Sequence, residues 1–201
     1  MRYAIVDGER AEPTPKARGT CELCESPVYA KCGSVVVWHW AHVSLRDCDP
    51  WFEGITQWHL DWQNLVPLER REVKMGRHRA DMVTSAGTVV EIQHSYLPED
   101  AIRAREEHYG NMIWIFDARE AWLSGRLTIR WRRKGTGGYW AFEWKHGKKT
   151  LDHVTAPLYL DCGDGLILRV MKIRFTPTMR GWVRRGTAET VIDWFDRPAI
   201  G

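Results

Sequence analysis

The sequence predicts an α/β protein whose core is a mixed sheet. Three observations point there. Between residues 49 and 120 the pattern reads helix, strand, strand, strand, helix, strand. Residues 80–95 read as two short strands around a tight turn, Ser85-Ala86-Gly87. Met112-Ile113-Trp114-Ile115-Phe116 is a near-continuous apolar run, the signature of a strand buried on both faces and paired in parallel.

The elements follow in order. Residues 1–20 hold a short strand pair turned at Asp7-Gly8, then a Pro-rich connection. Residues 21–48 hold four of the five cysteines. Asp49-Pro50 predicts a helix start, with Asp49 as N-cap and Pro50 at the first helical position. Trp51, Ile55, Trp58, Trp62 and Leu65 then recur at spacings of four and three, one apolar stripe closed by Pro67. A strand follows at residues 71–75, then the hairpin. Pro98, Glu99 and Asp100 fit the first turn of a second helix running to about Tyr109. After residue 120 the segments LTIRWRR, GYWAFEW, APLYLD, GLILRVMKIRF and RGWVRR are short, aromatic and punctuated by glycine, which predicts a β-rich extension ending in a short segment near residues 190–195. The expected organisation is a module over 1–48, a core over 49–120 and an extension over 121–201.

Composition excludes several classes. Charged residues are 27% and apolar residues 44%, ordinary for a globular protein. No apolar run approaches the roughly 20 residues of a membrane helix, so no membrane partner is expected. The first sixteen residues carry several acids and no long apolar stretch, unlike a secretory signal, so the expected location is cytoplasmic. The five cysteines are then expected as thiols or metal ligands rather than disulfides. Charge is uneven. Residues 1–120 carry 14 Lys and Arg against 19 Asp and Glu; residues 121–201 carry 15 against 7. A basic segment beside an acidic one suits a protein that holds a polyanion near bound metal, against the alternative of a solvated basic surface.

The hairpin carries the first chemistry. If its turn centres on Ala86, Thr84 pairs with Thr88 and Asp81 falls opposite Glu91. Opposed residues share a face, with Cβ atoms about 4.5–5.5 Å apart. Two carboxylates that close repel unless a cation or a proton lies between them. Gln93 follows Glu91 by two residues and shares its face. Two acids and an amide so placed form a divalent-metal site. The competing reading is a solvated acid pair. Val89, Val90 and Ile92 weigh against it, since they make the second strand central rather than wet.

The cysteine segment carries the second. Cys21-x2-Cys24 is followed, after fourteen residues, by His39-x2-His42. Four such ligands suit tetrahedral Zn²⁺. Val35-Val36-Val37-Trp38 reads as a strand that would bring the pairs together, and Cys32 and Cys48 compete for one ligand position. The alternative is a metal-free hairpin with a buried C-x2-C. In the C-terminal half Trp131, Trp140, Trp144 and Trp182 alternate with Arg and Lys. Such interleaving can hold single strands by stacking, and equally can build a small tryptophan core.

Taken together, Cys21-Glu-Leu-Cys24, His39-Trp-Ala-His42, a helix bearing His59, Arg79-Ala-Asp81, Glu91-Ile-Gln93 with Ser95, Arg105 followed by Tyr109, and Trp114-Ile-Phe resemble the competence protein CoiA-like family over about residues 1–120. That resemblance implies a zinc-ribbon-like N-terminal module and a restriction-endonuclease-like, PD-(D/E)XK core that hydrolyses DNA with Mg²⁺ or Mn²⁺. Asp81, Glu91 and the carbonyl of Ile92 would hold the catalytic ion. Gln93 would stand where lysine is commonest and position the water. Glu53 is the nearest match to an acid on the first helix, and His59 would belong to the site. Arg79, Ser95, Arg105 and Tyr109 would contact the nucleic acid or support the acids, Arg105 by bracing Glu91. DNA, single- or double-stranded, is the expected partner, and a homodimer is compatible with this reading. A non-catalytic DNA-binding adaptor on the same fold and a metal-dependent RNase are the alternatives.

Overall fold

A computed structural model describes residues 1–44, 48–51, 54–132, 138–176 and 178–196. The chain forms two compact units, Met1–Val83 and Thr84–Gly201.

The first unit begins with β1 (Ala4–Val6) and β2 (Glu9–Ala11), which pair antiparallel. Asp7 (φ 51°) and Gly8 (φ 86°) join them. Positive φ at both central residues is what a two-residue hairpin turn requires, and Asp-Gly supplies it at low cost. β3 (Arg18–Thr20), β4 (Pro27–Lys31) and β5 (His39–His42) complete a sheet of order β2-β1-β3-β4-β5. Gly19 lets β3 lie close to β1; a Cβ there would stand 2.5 Å from the Ile5 carbonyl oxygen. Met1, Ala4, Cys21, Val28 and Trp40 form the small core of this sheet.

The strand expected at residues 35–38 is instead part of the loop between β4 and β5. The ladder ends at Lys31 opposite His39, and the Trp38 indole N–H closes the loop on the Gly33 carbonyl. Apolar composition alone made it look like a strand; without a ladder partner Val35 is 94% exposed.

The first helix is also shorter than expected. α1 spans Gln57–Gln63. Thr56, not Asp49, is its N-cap: the Thr56 hydroxyl accepts from the His59 N–H, and His59 Nδ1 accepts from the Thr56 N–H. This reciprocal capping box outcompetes the Asp49-Pro50 signal. Trp58 and Trp62 of the predicted stripe are buried, whereas Leu65 lies beyond the helix and is exposed. Asp49 has other work. Its carboxylate accepts from the Trp51 and Arg79 N–H groups and from His78 Nδ1 at 2.9 Å. The unit closes with β6 (Arg71–Met75) and β7 (His78–Val83), an antiparallel pair.

The second unit contains β8 (Val89–Gln93), α2 (Glu99–Tyr109), β9 (Met112–Asp117), α3 (Arg119–Leu123), β10 (Leu127–Arg132), β11 (Tyr139–Trp144), β12 (Leu158–Asp161), β13 (Ile167–Thr176), β14 (Thr178–Gly186) and α4 (Ala188–Asp196). Its turn at the start closes as the Ser-Ala-Gly signal suggests. Thr84 N–H donates to the Thr88 carbonyl, Gly87 N–H donates to the Thr84 carbonyl, and Gly87 takes φ 77°.

β8 and β9 are parallel, with Glu91 opposite Trp114 and Gln93 opposite Phe116. α2 is the crossover that parallel pairing demands. It begins after Pro98 and ends at Gly110, whose φ of 64° breaks the helix. β9 is buried along its whole length because it pairs in parallel on both sides, with β8 and with β12. The strands beyond residue 120 continue this sheet, in the order β10-β11-β14-β13-β12-β9-β8. Mixed α/β architecture, mostly strand, is therefore the observed class.

Candidate functional site

In the first unit, a tight knuckle joins β3 to β4. Cys21 N–H donates to the Ser26 carbonyl, and Glu25 N–H returns to the Cys21 carbonyl with Glu25 at φ 59°. Leu23 N–H points at Cys21 Sγ, 3.4 Å away. Thiolates with metal above them accept such backbone donors. His42 lies opposite Val28, at the knuckle end of the β4–β5 ladder. The donor atoms of Cys21, Cys24, His42 and Cys48 all lie within 4.8 Å of one another. Cys21 and Cys48 sulfurs are 3.6 Å apart, and Cys24 Sγ is 3.3 Å from His42 Nε2.

This cluster could bind a structural metal such as zinc, and its dimensions fit one. A tetrahedron with metal–sulfur bonds of about 2.3 Å has S···S edges of about 3.8 Å. The donor chemistry agrees, three sulfurs and an imidazole. Burial works to raise the Cys24 thiol, but hydrogen bonds with the Ser26 side chain and backbone, with Cys48 and with His42 outweigh it and bring Cys24 down to about 6. Cys48 is pushed the other way by burial and by its two sulfur neighbours. Arg79 adds a cation: its guanidinium donates to Cys21 Sγ at 3.7 Å and lies 3.9 Å from Glu72.

The structure corrects one predicted ligand. His39 is not in the cluster; its Nδ1 lies 2.9 Å from the Val37 carbonyl. Residues three apart on a strand point to opposite faces and stand about 10 Å apart along it. His39 faces the Lys31 end of the ladder while His42 faces the knuckle. Cys48 takes the fourth place. Reading His39–His42 as a strand instead of a compact pair would have excluded one histidine from the sequence alone.

The remaining predicted residues fall as follows. Glu53 lies outside the described residues. His59 is buried and its ring caps α1. Arg79 stands beside Cys21 and Glu72. Asp81 is on β7, on the half-exposed face it shares with Arg79, while Ala80 and Met82 point into the core.

In the second unit, Glu91, Ile92 and Gln93 are buried on β8. Arg105 of α2, 3% exposed, brings its Nε to 3.7 Å from the Glu91 carboxylate. Gln93 donates through Nε2 to the Ser95 carbonyl at 3.2 Å and hydroxyl at 3.1 Å. Tyr109, one turn after Arg105, is buried at the end of α2.

The sequence reading missed a neighbouring ion cluster. Asp117, at the C-terminal end of β9, accepts from the Arg119 guanidinium and backbone N–H and lies 2.8 Å from His94 Nδ1. Burial opposes its charge, yet these partners prevail and hold its carboxyl down to about 2. The signal for it was available: a polar residue ending an apolar parallel strand.

The strand-borne knuckle and its cysteine-rich donor set make the N-terminal module a small β domain with a cluster that could hold a metal. Residues 14–50, which include all four cluster residues, match the family model for the N-terminal domain of competence protein CoiA. Over that segment the chain is CoiA-like. No curated protein and no solved structure matches the chain. Among the described residues no helix is long and apolar enough to cross a membrane.

Proposed function

We propose that the chain is a divalent metal-dependent nuclease that hydrolyses DNA phosphodiester bonds, with zinc held structurally by Cys21, Cys24, His42 and Cys48. One observation carries the catalytic reading: Glu91 and Gln93 sit buried on one face of β8, and Arg105 is directed at Glu91. A carboxylate is kept inside a central strand at a cost, and Arg105 is the cation placed 3.7 Å from it. The CoiA match to residues 14–50 supports the setting, because in that family resemblance such a module precedes a PD-(D/E)XK core.

Asp81, Glu91 and the Ile92 carbonyl would hold Mg²⁺ or Mn²⁺; all are oxygen donors, as those ions prefer. When bound, the ion supplies Lewis-acid polarisation of the phosphate and lowers the pKa of a water. The chain's own residues do the rest. Ser95 orients the Gln93 amide through its nitrogen, so Oε1 is the end that would accept a hydrogen bond from the attacking water and position it. Gln93 carries no charge, so it stabilises the developing phosphorane less than lysine would.

The same departure favours a second reading, a DNA-binding adaptor that keeps the fold without hydrolysis. Cleavage assays on single-stranded, duplex and branched DNA and on RNA, with and without Mg²⁺ or Mn²⁺, separate the readings. Metal-dependent DNA cleavage that vanishes in Asp81→Ala and Glu91→Ala supports the nuclease. Salt-sensitive binding with no cleavage on any substrate supports the adaptor, and cleavage confined to RNA supports a ribonuclease.

A further inference from the structure

The sheet formed by β10, β11, β14 and β13 has one strongly basic face. Side chains two apart on a strand share a face, so Arg180, Trp182 and Arg184 of β14 project together. Register extends that row sideways. Arg180 lies opposite Arg174 of β13 and Glu143 of β11, and Trp182 lies opposite Lys172 and Ala141. Arg130 of β10 reaches Glu143 from the far side. A groove of about 580 Å³ runs over this face, bordered by Arg130, Lys172, Arg174, Arg180 and Trp182.

Three features make this more than a solvated basic surface. First, the cations outnumber the acid. Glu143 is the only acidic residue on the groove among the described residues. It is 6% exposed and already shared between Arg130 and Arg180, which keep their own side chains 58% and 60% exposed. Lys172 and Arg174 are exposed beside them. Second, an aromatic stands at the centre of the basic row. Trp182 is half-buried, between Ala141 and Lys172 in the register. Trp144, by contrast, is 2% exposed and belongs to the core. Third, a second aromatic follows on the same face. Tyr139 lies opposite Arg184, which donates to its hydroxyl at 2.9 Å and stacks 4.6 Å over its ring.

The geometry points to this face as a binding platform for single-stranded DNA, with Lys172, Arg174 and Arg180 on phosphates and Trp182 under a base. A half-buried indole among cations on a sheet face suits an unpaired base, because a duplex hides its base faces within the stack. The cations supply sequence-independent affinity through counterion release. Grip is thereby separated from cleavage within the second unit: the platform lies on β10–β11–β14–β13, while Glu91 lies on β8. The choice of DNA over RNA rests on the nuclease reading above; the binding itself does not.

Fluorescence anisotropy of labelled oligo-dT, oligo-rU and a blunt duplex, with no added divalent ion and at several salt concentrations, tests it. The expected result is tighter binding of oligo-dT than of the other two. Lys172→Glu with Arg174→Glu should weaken oligo-dT binding at least tenfold and flatten the salt slope by about 1.4, two phosphate contacts at about 0.7 each. Trp182→Ala should weaken oligo-dT about tenfold and leave duplex binding unchanged. Lys172→Ala with Arg174→Ala, checked by circular dichroism and melting, guards against misfolding by charge reversal. Wild-type affinity and slope in both double variants overturn the platform, as does a duplex that binds better than oligo-dT. Preference for oligo-rU overturns the choice of DNA. Because these readings need no cleavage, a wild type that binds but never cuts defeats only the nuclease reading.

Discussion

The Cys/His cluster of the first unit, with Cys24 exposed, and the buried Glu91–Arg105 pair of the second gather ionisable groups in opposite ways. The cluster assembles three sulfurs and an imidazole within 4.8 Å of one another, with the Arg79 guanidinium 3.7 Å from Cys21. The sheet brings like groups together and leaves the balance to an ion. Glu91 instead receives its counter-charge from the chain, from Arg105 at 3.7 Å. On the proposed reading, the zinc cluster depends on its ion for stability, whereas the acid on β8, paired by the chain itself, would stay folded as an exchangeable ion comes and goes.

The largest expected effect breaks function in the second unit without touching the first. Glu91→Ala should lower DNA cleavage about a thousandfold, on the order of losing a principal electrostatic group. Zinc content should stay at one per chain by atomic emission. Parallel loss of zinc would erase the separation between the two sites.

Next comes the reverse experiment. Cys48→Ser should abolish zinc binding, and His39→Ala should leave it intact. Loss of the ion's contribution, about 3 kcal/mol, would lower the melting temperature by about 6–12 °C. If His39→Ala sheds zinc while Cys48→Ser keeps it, the assignment of the fourth ligand is wrong.

Arg105→Ala probes the chain-borne charge. Removing one partner of a buried pair strands the other, so a loss of about 3 kcal/mol in urea unfolding is expected. Adding Glu91→Gln to Arg105→Ala should restore much of it. An Arg105→Ala protein as stable as wild type would mean that Arg105 does not balance Glu91.

Legibility in the sequence followed the same divide. Elements governed by local rules were readable: the Asp7-Gly8 turn, α2 between Pro98 and Gly110, the apolar strand β9. So was the approach of Arg105 to Glu91, because helical spacing and strand alternation fix both faces. What escaped depended on competition or on distant pairing. Asp49-Pro50 and Thr56-x2-His59 are both helix starts by composition, and only reciprocal hydrogen bonding selects Thr56. Cys48 is a candidate ligand beside Cys32, but what selects it is its approach to Cys21 across 27 residues, which no local spacing encodes. The basic face of β10–β11–β14–β13 required a strand order that the sequence does not state.

Asp117 gives a smaller, pH-dependent effect. Its folded carboxyl titrates near 2, below the ordinary 3.8, so the native state favours the charged form. Stability from this group is fully present above about pH 4–5 and is lost as pH falls through 3.8 toward 2. Partial exposure to solvent limits it to about 1–2 kcal/mol. Urea unfolding at pH 6 and pH 2.5 should show a larger drop in wild type than in Asp117→Asn; equal drops would remove the cluster's role.

Gln93→Lys asks for the least change and sharpens the comparison most finely. Gln93 sits on the same face as Glu91, with its amide nitrogen held by Ser95. A lysine there would add a second cation near Glu91, beside Arg105, and would offset charge that the amide leaves to the ion. Cleavage should therefore rise several-fold and become less dependent on metal concentration, the half-saturating Mg²⁺ level staying similar while residual activity at low metal increases. Burial opposes the new charge, so the gain should appear only when the lysine is ionised, growing weaker as pH rises. If Gln93→Lys instead lowers cleavage at every pH and metal level, the amide is positioning water in a way a charge cannot replace, and the second unit depends on orientation more than on electrostatics.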